Sequence, residues 1–481
     1  MNAKGEKGKN QIIVILGAGL AGLSCALRLT ELGYHNITLL EKEPYPGGLA
    51  TSIHFKGHTS DLGPHRIHSE VKEVLEFLDK WCGNLPVKCS RKSHMFINGG
   101  YLPYPPDFFN TIRHFGMIDM ARFAGSYLYA LASRIVSSPH EENYETMMER
   151  AFGRALYRAI VKPYTEKTWG MEAKDLSGDV ARARISAAGL SSLIKRLFLR
   201  EQKGRETALR EFIYIKGGIE NLANRFRNIL ESKGVKFILE GSADRIENKS
   251  DSALKITYRK GDREESLDAD FCFSTIPLPE LVFKIRGFPQ DANILEAAQS
   301  LSYLSMVLVF ARVKKARISR DTWLYFPQRD IIFNRGYEAK NFDRAMGPEG
   351  ESLICLEITC RKDDGVWNTP EEVLGKRACD DLVKTGLVKD GEILDVKTAR
   401  ITHAYPAYDL HYRENLDAIW GYLGKIPLLI TLGRQGLFHH NNMDHSIYEG
   451  MMAAEYFAEK ENPSSHWYQD EGRFRKLRIV D

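Results

Sequence analysis

After a polar tail, the chain begins with an apolar run at residues 12–16, and a glycine-rich turn follows it directly. An uninterrupted apolar run is typical of a strand that is covered on both faces. Residues 20–32 then repeat apolar positions with a helical period, and Gly33 fits the end of that helix. The next apolar run, NITLLEK, carries Glu41 at its end. This pattern predicts a strand, a turn, a helix and a second strand.

Later parts of the chain alternate between two patterns. Long helical stretches dominate residues 104–202, where strand-like runs are absent. Residues 426–460 close the pattern with a strand, a loop and a helix. Between these two regions the strand pattern returns at residues 211–247, 267–282, 301–313, 351–359 and 396–403.

Three glycines in the first turn, Gly17, Gly19 and Gly22, have the GxGxxG spacing of dinucleotide-binding loops. The first permits a tight turn, the second lets the backbone approach a pyrophosphate, and the third lets the helix pack closely on the strand. The helix N-terminus then presents unpaired amides and a positive dipole end to the phosphates. Glu41 lies 19 residues past Gly22, where a carboxylate accepts hydrogen bonds from a ribose.

A second glycine pair, Gly47 and Gly48, favours FAD over NAD as the dinucleotide. In flavoproteins that keep FAD bound, a second loop must also approach the diphosphate, and no further GxGxxG for a nicotinamide follows. The loop SDLGPHRIHS comes next, and we expect Gly63 near the isoalloxazine ring and His65 to hold the loop in place. Alternatively, His65 is a structural histidine whose ring nitrogens have hydrogen-bond partners, rather than an acid or base.

These elements predict an α/β fold with a discontinuous, Rossmann-type FAD-binding domain, a helical insert and a β-rich substrate domain. The FAD-binding domain is expected from residues 11–100, 211–285 and 425–460. The insert is expected at 101–210 and the substrate domain at 286–424. Residues 1–10 are expected to form a disordered tail, and residues 461–481 a C-terminal extension.

Composition narrows the function only a little. The net charge of +4 argues weakly against a dedicated nucleic-acid binder and leaves an anionic small substrate open. The seven cysteines contain no CxxC pair, so we expect no metal centre and no disulfide framework, and a reducing cytoplasm is the natural compartment. No apolar run reaches the ~18 to 20 residues of a membrane span. The nearest approach, residues 123–138, is expected as a buried helix rather than a membrane-surface anchor.

Several segments together resemble the UDP-galactopyranose mutases, flavoenzymes related in fold to amine oxidases and protoporphyrinogen oxidase. The tryptophan-containing block VKPYTEKTWGMEAKDLSGDVARARIS, at residues 161–186, is the most specific of them. The other segments are GPHRIHS, YLPYP, TWLYFP, FNR, HAYPAYDL and LGRQGLFHHNNMDHSI. The resemblance runs discontinuously over residues 12–454.

The resemblance implies a reaction in which FAD must be reduced. The flavin attacks the anomeric carbon of a nucleotide sugar, the diphosphate leaves, and the sugar ring recloses on another hydroxyl before the diphosphate returns. This is a pyranose–furanose isomerisation without net redox change, and it implies a role in cell-surface polysaccharide biosynthesis. A reductant, NAD(P)H among the candidates, must supply the electrons.

The resemblance also assigns residues to roles. Arg184 and Arg335 match the two arginines that hold the diphosphate, a task that suits a planar and permanently charged guanidinium. Trp169 matches a tryptophan beside the sugar, and Tyr325 and Tyr405 match tyrosines that contact phosphate or substrate. The expected catalytic residues are Arg184, Arg335 and His65. The expected cofactor residues are Gly17, Gly19, Leu20, Ala21, Gly22, Glu41, Gly48, Leu49, Gly63, His65, Gly433, Arg434 and Asp444.

Each assignment has a structural alternative. Arg184, like its neighbour Arg182, is also compatible with a solvated helix charge, and Trp169 with a core tryptophan. Tyr325 and Tyr405 are equally compatible with core aromatics that have satisfied hydroxyls.

The C-terminal loop departs from the mutase pattern. Mutases usually keep tyrosines shortly after the Gly433–Arg434 pair, and here Phe438 and His440 occupy those positions. Phenylalanine donates no hydrogen bond, whereas a histidine does, so His440 joins the expected substrate residues. His94 similarly stands where relatives carry an aromatic hydroxyl.

Three functions remain open at this point. The first is the flavin-dependent isomerase of a nucleotide-diphosphate sugar. The second is an FAD-dependent oxidoreductase of the amine oxidase or protoporphyrinogen oxidase type, whose site needs an apolar or aromatic cage more than paired arginines. The third is a flavin-binding protein without turnover.

Overall fold

The strands form the framework of the protein. In the computed structural model, the described residues are 8–136, 143–184, 211–250, 252–469, 474 and 477. In chain order the strands are β1 Ile13–Leu16, β2 Ile37–Leu40, β3 Ser52–Phe55, β4 His58–Asp61, β5 Pro86–Ser90, β6 Ser93–Ile97, β7 Gly100–Pro103, β8 Glu211–Ile215, β9 Lys236–Ile238, β10 Gly241–Ser250, β11 Ala253–Lys260, β12 Arg263–Ala269, β13 Phe271–Ser274, β14 Ile285–Arg286, β15 Tyr303–Val313, β16 Trp323–Tyr325, β17 Arg335–Glu338, β18 Ser352–Cys360, β19 Ile393–Pro406 and β20 Leu429–Thr431.

The helices connect and cover these strands. They are α1 Leu20–Glu31, α2 Lys72–Cys82, α3 Phe108–Val136, α4 Tyr144–Phe152, α5 Arg154–Leu156, α6 Lys162–Trp169, α7 Asp179–Arg184, α8 Glu220–Ser232, α9 Leu278–Lys284, α10 Ala292–Ser300, α11 Glu371–Lys384, α12 Tyr412–Leu423, α13 Gly433–Gly436, α14 Met443–Glu459 and α15 Pro463–Gln469. A π-helical turn, Tyr157–Val161, joins α5 to α6, and short 3₁₀ turns lie at Ala339–Asn341 and Arg344–Met346.

A five-stranded parallel sheet confirms the predicted α/β fold. Its strand order is β20-β13-β1-β2-β9, and β1 and β2 are buried along their whole length. Burial on both faces explains why these strands read as continuous apolar runs. The carboxyl ends of β1, β2, β13 and β20 lie side by side at one edge of the sheet, which is where open α/β sheets bind their ligands.

A mixed seven-stranded sheet forms the second large layer. Its order is β19-β15-β18-β17-β16-β6-β7, so two strands from residues 93–103 join strands from the second half of the chain. Ten of the eleven residues of β15 are buried, because α11 covers one side of this sheet and the small β5–β8 pair covers the other. A four-stranded sheet of order β12-β11-β10-β14 lies beside the parallel sheet.

The helical insert is tied to the seven-stranded sheet through Lys167 on α6. Its Nζ atom donates to the carbonyl oxygens of Phe326 (2.7 Å), Gln328 (2.7 Å) and Phe333 (2.6 Å). These three carbonyls belong to the loop that joins β16 to β17. Burial lowers the pKa of Lys167 to about 7. The insert therefore braces the hairpin that carries Tyr325 and Arg335.

The longest helix of the insert corrects one expectation. Residues 123–138 were expected as a buried helix, yet in the described part of this stretch Leu128 is 64% exposed and Tyr129 is 78% exposed. Phe123, by contrast, is buried, so only one face of α3 packs on the protein. Among the described helices, none is both long enough and apolar enough to cross a bilayer.

Candidate active site

The glycine-rich turn joins β1 to α1, and it has no room for a side chain at Gly17 or Gly22. Gly17 has a φ angle of +102°, and a Cβ atom there would lie 2.0 Å from Thr275 Oγ1. A Cβ atom at Gly22 would lie 2.1 Å from the carbonyl oxygen of Gly17. Gly19 immediately precedes α1, whose first amides have no acceptor within the helix. Those amides belong to Leu20, Ala21 and Gly22.

Glu41 lies beside this turn, as expected for a ribose ligand. Its Oε2 atom accepts from the Ala18 amide at 2.7 Å, and its Oε1 atom from the Glu43 amide at 3.0 Å. Burial raises the pKa of Glu41, and these two amide donors oppose the shift. The second glycine pair closes the turn from the other side, since the Gly47 amide donates to the Ala18 carbonyl at 2.8 Å and Gly48 has a φ of +60°.

A buried aspartate anchors the loop that carries His65. Asp61 Oδ1 accepts from Ser52 Oγ at 2.7 Å and from the Ile219 amide at 3.0 Å, and Oδ2 accepts from the Tyr214 hydroxyl at 2.7 Å. His65 Nδ1 lies 3.7 Å from Asp61 Oδ2. The loop places Gly63 and His65 on the wall of a cleft, together with Leu49.

Arg335 lies in the same cleft and is held by a fully buried carboxylate. Arg335 and Glu357 face each other across β17 and β18, and the Nη2 and Nε atoms of Arg335 donate to Glu357 Oε2 at 2.6 and 2.7 Å. Tyr405 Oη lies 3.4 Å from Arg335 Nη2. Burial lowers the pKa of Arg335, but the Glu357 carboxylate outweighs it, so the net pKa is well above the usual value. The site therefore keeps a permanent cation.

Aromatic rings line the cleft around this cation. His440 stacks on Tyr405 with ring centroids 5.0 Å apart and lies 5.5 Å from Trp169. Tyr325 packs edge-on against Tyr164 at 5.5 Å. All five side chains line the cleft. The four expected from the sequence, which are Trp169, Tyr325, Tyr405 and His440, thus come together from distant parts of the chain.

The C-terminal loop closes the cleft on the side of α1. A Cβ atom at Gly433, whose φ is +77°, would lie 2.8 Å from the Ala21 Cβ atom, so the loop touches the first turn of α1. Arg434 donates from Nη2 to the Asn441 carbonyl at 2.6 Å, and its guanidinium carbon lies 5.0 Å from the centre of the Tyr405 ring. These contacts place Arg434 on the cleft wall.

Three other positions considered from the sequence, Asp444, His94 and Phe438, are not among the residues that line the cleft. Asp444, in the first turn of α14, is buried with its Oδ2 atom 3.6 Å from His445 Nε2. His94 Nδ1 pairs with Asp321 Oδ1 at 2.6 Å. Phe438 is fully buried in the core. Neither His94 nor Phe438 is among the residues that line the cleft. Of the three positions that depart from the mutase pattern, His440 alone is therefore on the cleft wall.

The second expected arginine, Arg184, ends helix α7, and its side chain lies outside the described residues. Its neighbour Arg182 is half exposed and pairs with Asp179 at 2.7 Å. Arg182 therefore fits the solvated helix charge that was the alternative for this segment.

Three charged residues that line the cleft were not predicted from the sequence: Arg66, Arg91 and Glu357. Arg66 lies over the Trp323 ring, with its guanidinium carbon 5.3 Å from the ring centre. Arg91 has buried Nε and Nη1 atoms without a hydrogen-bond partner among the described residues. The sequence does contain a signal for Glu357, because this residue is an isolated acid within the apolar strand SLICLEITC. A buried strand tolerates an acid only when a partner is present.

Together these features describe a glycine-rich strand–turn–helix unit and a cationic, aromatic cleft. The chain matches the family of flavin containing amine oxidoreductases over residues 20–398, which is more than three quarters of its length. It therefore belongs to that family and is a flavin-dependent enzyme of the amine oxidase superfamily.

Curated relatives span two chemistries. A probable UDP-galactopyranose mutase from Klebsiella pneumoniae is 25% identical over 178 residues, which are 36% of this chain and 44% of the relative. A 1-hydroxycarotenoid 3,4-desaturase from a Flavobacterium species is 22% identical over 367 residues, which are 68% of this chain and 67% of the relative. The match to the Klebsiella protein thus covers less than half of that protein.

Solved structures extend the likeness over nearly the whole chain. The crystal structure of a reduced UDP-galactopyranose mutase superimposes with a TM-score of 0.82 at 23% identity and covers 98% of both chains. A candidate protoporphyrinogen oxidase from Exiguobacterium sp. 255-15 gives a TM-score of 0.72 at 18% identity, over 93% of this chain and 98% of the other. These likenesses define the fold, as predicted from the sequence resemblance.

Proposed function

We propose that this flavoenzyme binds FAD and isomerises a nucleotide-diphosphate sugar between its pyranose and furanose forms without net redox change. The observation that carries the proposal is Arg335, a permanent cation held by Glu357 in the aromatic cleft beside the His65 loop. A cleft built for an apolar substrate has no use for a cation in this position, whereas a leaving diphosphate needs one.

The first turn fits FAD as the particular flavin. A dinucleotide has a pyrophosphate and a ribose, and the turn offers glycine backbone and free helix amides for the first and Glu41 for the second. We expect the five-stranded sheet to carry the FAD and the seven-stranded sheet to form the substrate side. Reduced FAD, when bound, supplies an electron-rich centre beside the anomeric carbon of the sugar.

The side chains of the cleft then have separate tasks. Arg335 neutralises the diphosphate, and Glu357 orients the guanidinium and keeps it charged. The hydroxyls of Tyr325 and Tyr405 are available to phosphate or sugar oxygens. Trp169 and His440 form the surface on which the sugar lies, and the resemblance supplies Arg184 as the second cation.

The substrate class, the reductant, the compartment and the role of His65 are also part of this proposed function. The substrate is a nucleotide sugar, the electrons come from a reductant of the NAD(P)H kind, and the compartment is the cytoplasm. His65 is proposed to hold the flavin loop through Asp61, which is 3.7 Å away.

An anaerobic substrate panel tests this function. The protein is reduced with dithionite under argon and incubated with UDP- and dTDP-hexopyranoses, and the products are separated by chromatography. We expect one sugar to yield its furanose isomer, with the flavin still reduced at the end. If every sugar is returned unchanged while turnover requires oxygen and yields peroxide, the isomerase proposal fails.

Matched arginine variants connect the activity to the cleft. Arg335→Lys keeps a charge beside Glu357 but loses the two-pronged grip on phosphate, so we expect at least about a hundredfold loss of turnover with flavin retained. Arg329→Ala is the control, since Arg329 lies six residues earlier in the loop before β17, is 81% exposed and pairs only with Glu166 at 3.0 Å among the salt bridges of the described residues. Equal activity in both variants would remove Arg335 from the reaction.

An oxidoreductase is the second candidate. The match to the desaturase relative covers two thirds of both chains, and six tryptophan and tyrosine rings line the cleft. The panel distinguishes the two, because an oxidoreductase reduces its bound flavin when substrate is added to the oxidised protein, whereas the isomerase does not.

A further inference from the structure

One face of α3 is apolar and uncovered by the described part of the protein. Gly116, with φ +85° and ψ 172°, interrupts α3, and a regular helix continues from Met117. Exposure is greatest at Ile118 (87%), Tyr129 (78%), Met117 (71%) and Leu128 (64%). The exposed residues of this part, which we call the α3 face, are Met117, Ile118, Ala121, Arg122, Gly125, Leu128, Tyr129, Leu131, Ala132 and Arg134.

The opposite side of the same helix is also apolar. Met120, Phe123 and Ala130 are buried against the insert. A helix with many apolar residues on two opposite faces is normally covered on both. Contiguous apolar surface of this kind marks a place where another molecule binds.

The charges of the α3 face indicate which molecule that is. Its two charged residues, Arg122 and Arg134, are both cationic, and Arg113 is exposed on the preceding turn of α3. The one acid between Met117 and Val136 is Asp119, which is only half exposed. In a twofold dimer through this face, arginines would meet arginines with no acid of the face to pair with. Anionic lipid headgroups attract both arginines, of which Arg134 also donates to the Arg150 carbonyl oxygen, while the acyl region takes the apolar side chains.

We propose that the α3 face docks on an anionic phospholipid membrane, with the helix lying in the interface plane. The inference is independent of the reaction proposed above. An interfacial helix buries one face in the membrane and does not cross the bilayer.

Vesicle flotation tests the proposal on the complete, flavin-loaded protein. We expect the wild-type protein to float with vesicles of phosphatidylcholine and phosphatidylglycerol, and to bind phosphatidylcholine alone more weakly. The variant Ile118→Glu/Tyr129→Glu is expected to bind the mixed vesicles at least about tenfold more weakly, since two apolar contacts become anionic. Flavin absorbance should stay unchanged, because both side chains are exposed.

Val373→Glu is the matched control, as Val373 is 59% exposed on α11 and lies outside the α3 face. This variant should float as the wild-type protein does. If the wild-type protein stays with the vesicle-free fraction, whether as a monomer or as a dimer, the proposal is wrong. Binding that persists in Ile118→Glu/Tyr129→Glu, or that is lost equally in Val373→Glu, overturns it as well.

Discussion

The region proposed to bind the dinucleotide (the dinucleotide end) and the cleft around Arg335 (the substrate end) are built on opposite principles. The dinucleotide end comes mainly from residues 13–48, and it offers two glycine turns, free helix amides and one carboxylate. The substrate end consists of side chains from α6, β17, β18, β19 and the C-terminal loop, with Arg335 and Glu357 at its centre. At the dinucleotide end, the close packing of the glycines leaves little room for larger side chains. At the substrate end, the buried charges must keep their partners.

This difference has a practical consequence. At the dinucleotide end, adding a single methyl group should lower stability and flavin binding more than removing a polar group. At the substrate end, by contrast, the volume of the side chains matters less than whether each charge keeps its partner. Five predictions, ordered from the largest expected effect to the smallest, test this difference and the contacts that support it.

The largest effect is expected from Glu357→Leu, which leaves the Arg335 guanidinium in a mostly buried site without its carboxylate. The free energy of unfolding should fall by about 3–5 kcal/mol. The double variant Arg335→Met/Glu357→Leu should recover most of that stability in urea denaturation and remain inactive in the sugar panel. A double variant as unstable as the single one would show that charge pairing does not govern this end of the cleft.

The next effect is at Gly22. Its alanine variant places a Cβ atom 2.1 Å from the Gly17 carbonyl oxygen, so α1 must move away from β1. We expect weaker flavin binding and a loss of about 1–3 kcal/mol of stability. Gly125→Ala is the control, because this helical glycine has open space around it and should gain about 0.5–1 kcal/mol. Flavin fluorescence and thermal unfolding measure both.

A smaller effect is expected from Lys167→Met, which removes the tie between α6 and the β16–β17 loop. Each lost hydrogen bond costs about 0.5–1.5 kcal/mol, partly offset because the buried ammonium no longer has to be desolvated. Activity should fall as well, since Tyr325 and Arg335 lie on that hairpin. Lys376→Met is the control, because the Lys376 side chain is 77% exposed.

The same variant predicts a pH dependence. Burial lowers the pKa of Lys167 to about 7, so between that pH and its ordinary pKa the unfolded chain binds more protons than the folded one. The stability of the wild-type protein relative to Lys167→Met should therefore rise as the pH rises from about 7 towards 10. Urea denaturation across this range measures it, and a flat difference would mean that the three carbonyls keep the ammonium charged throughout.

The smallest effect is expected from Tyr405→Phe. The hydroxyl of Tyr405 is 3.4 Å from Arg335 Nη2, which is long for a hydrogen bond, so stability should change by less than about 1 kcal/mol. A larger change in the KM of the sugar than in kcat would show that the hydroxyl contacts substrate. Unchanged values of both would assign Tyr405 to the stack with His440 alone.

The sequence was more informative at the dinucleotide end. The apolar runs and the GxGxxG spacing correctly predicted the strand, turn, helix and second strand of that end, because local geometry requires those residue types, and the binding role of Glu41 stays a prediction. At the substrate end, Arg335, Tyr325 and Tyr405 were predicted through resemblance, and the structure brings them to one cleft. Glu357 was not found, since an isolated acid in an apolar strand reveals its partner only when the neighbouring strand is known.

The α3 face shows the same limit for surfaces. The apolar pattern of residues 123–138 correctly indicated a helix over the described part, residues 123–136. It suggested burial on all sides, because a periodicity reports which positions are apolar and not which of them another element covers. The exposure of Leu128 and Tyr129 depends on how the insert packs.

The sequence alone therefore determined the elements whose geometry is local: the strands, the glycine turns, the flavin class and the family. The tertiary structure decided which distant side chains meet, including the Arg335–Glu357 pair, the position of His440 against Tyr405 and the uncovered face of α3. The physical reason is that backbone conformation depends on neighbours in the chain, whereas charge pairing and burial depend on neighbours in space.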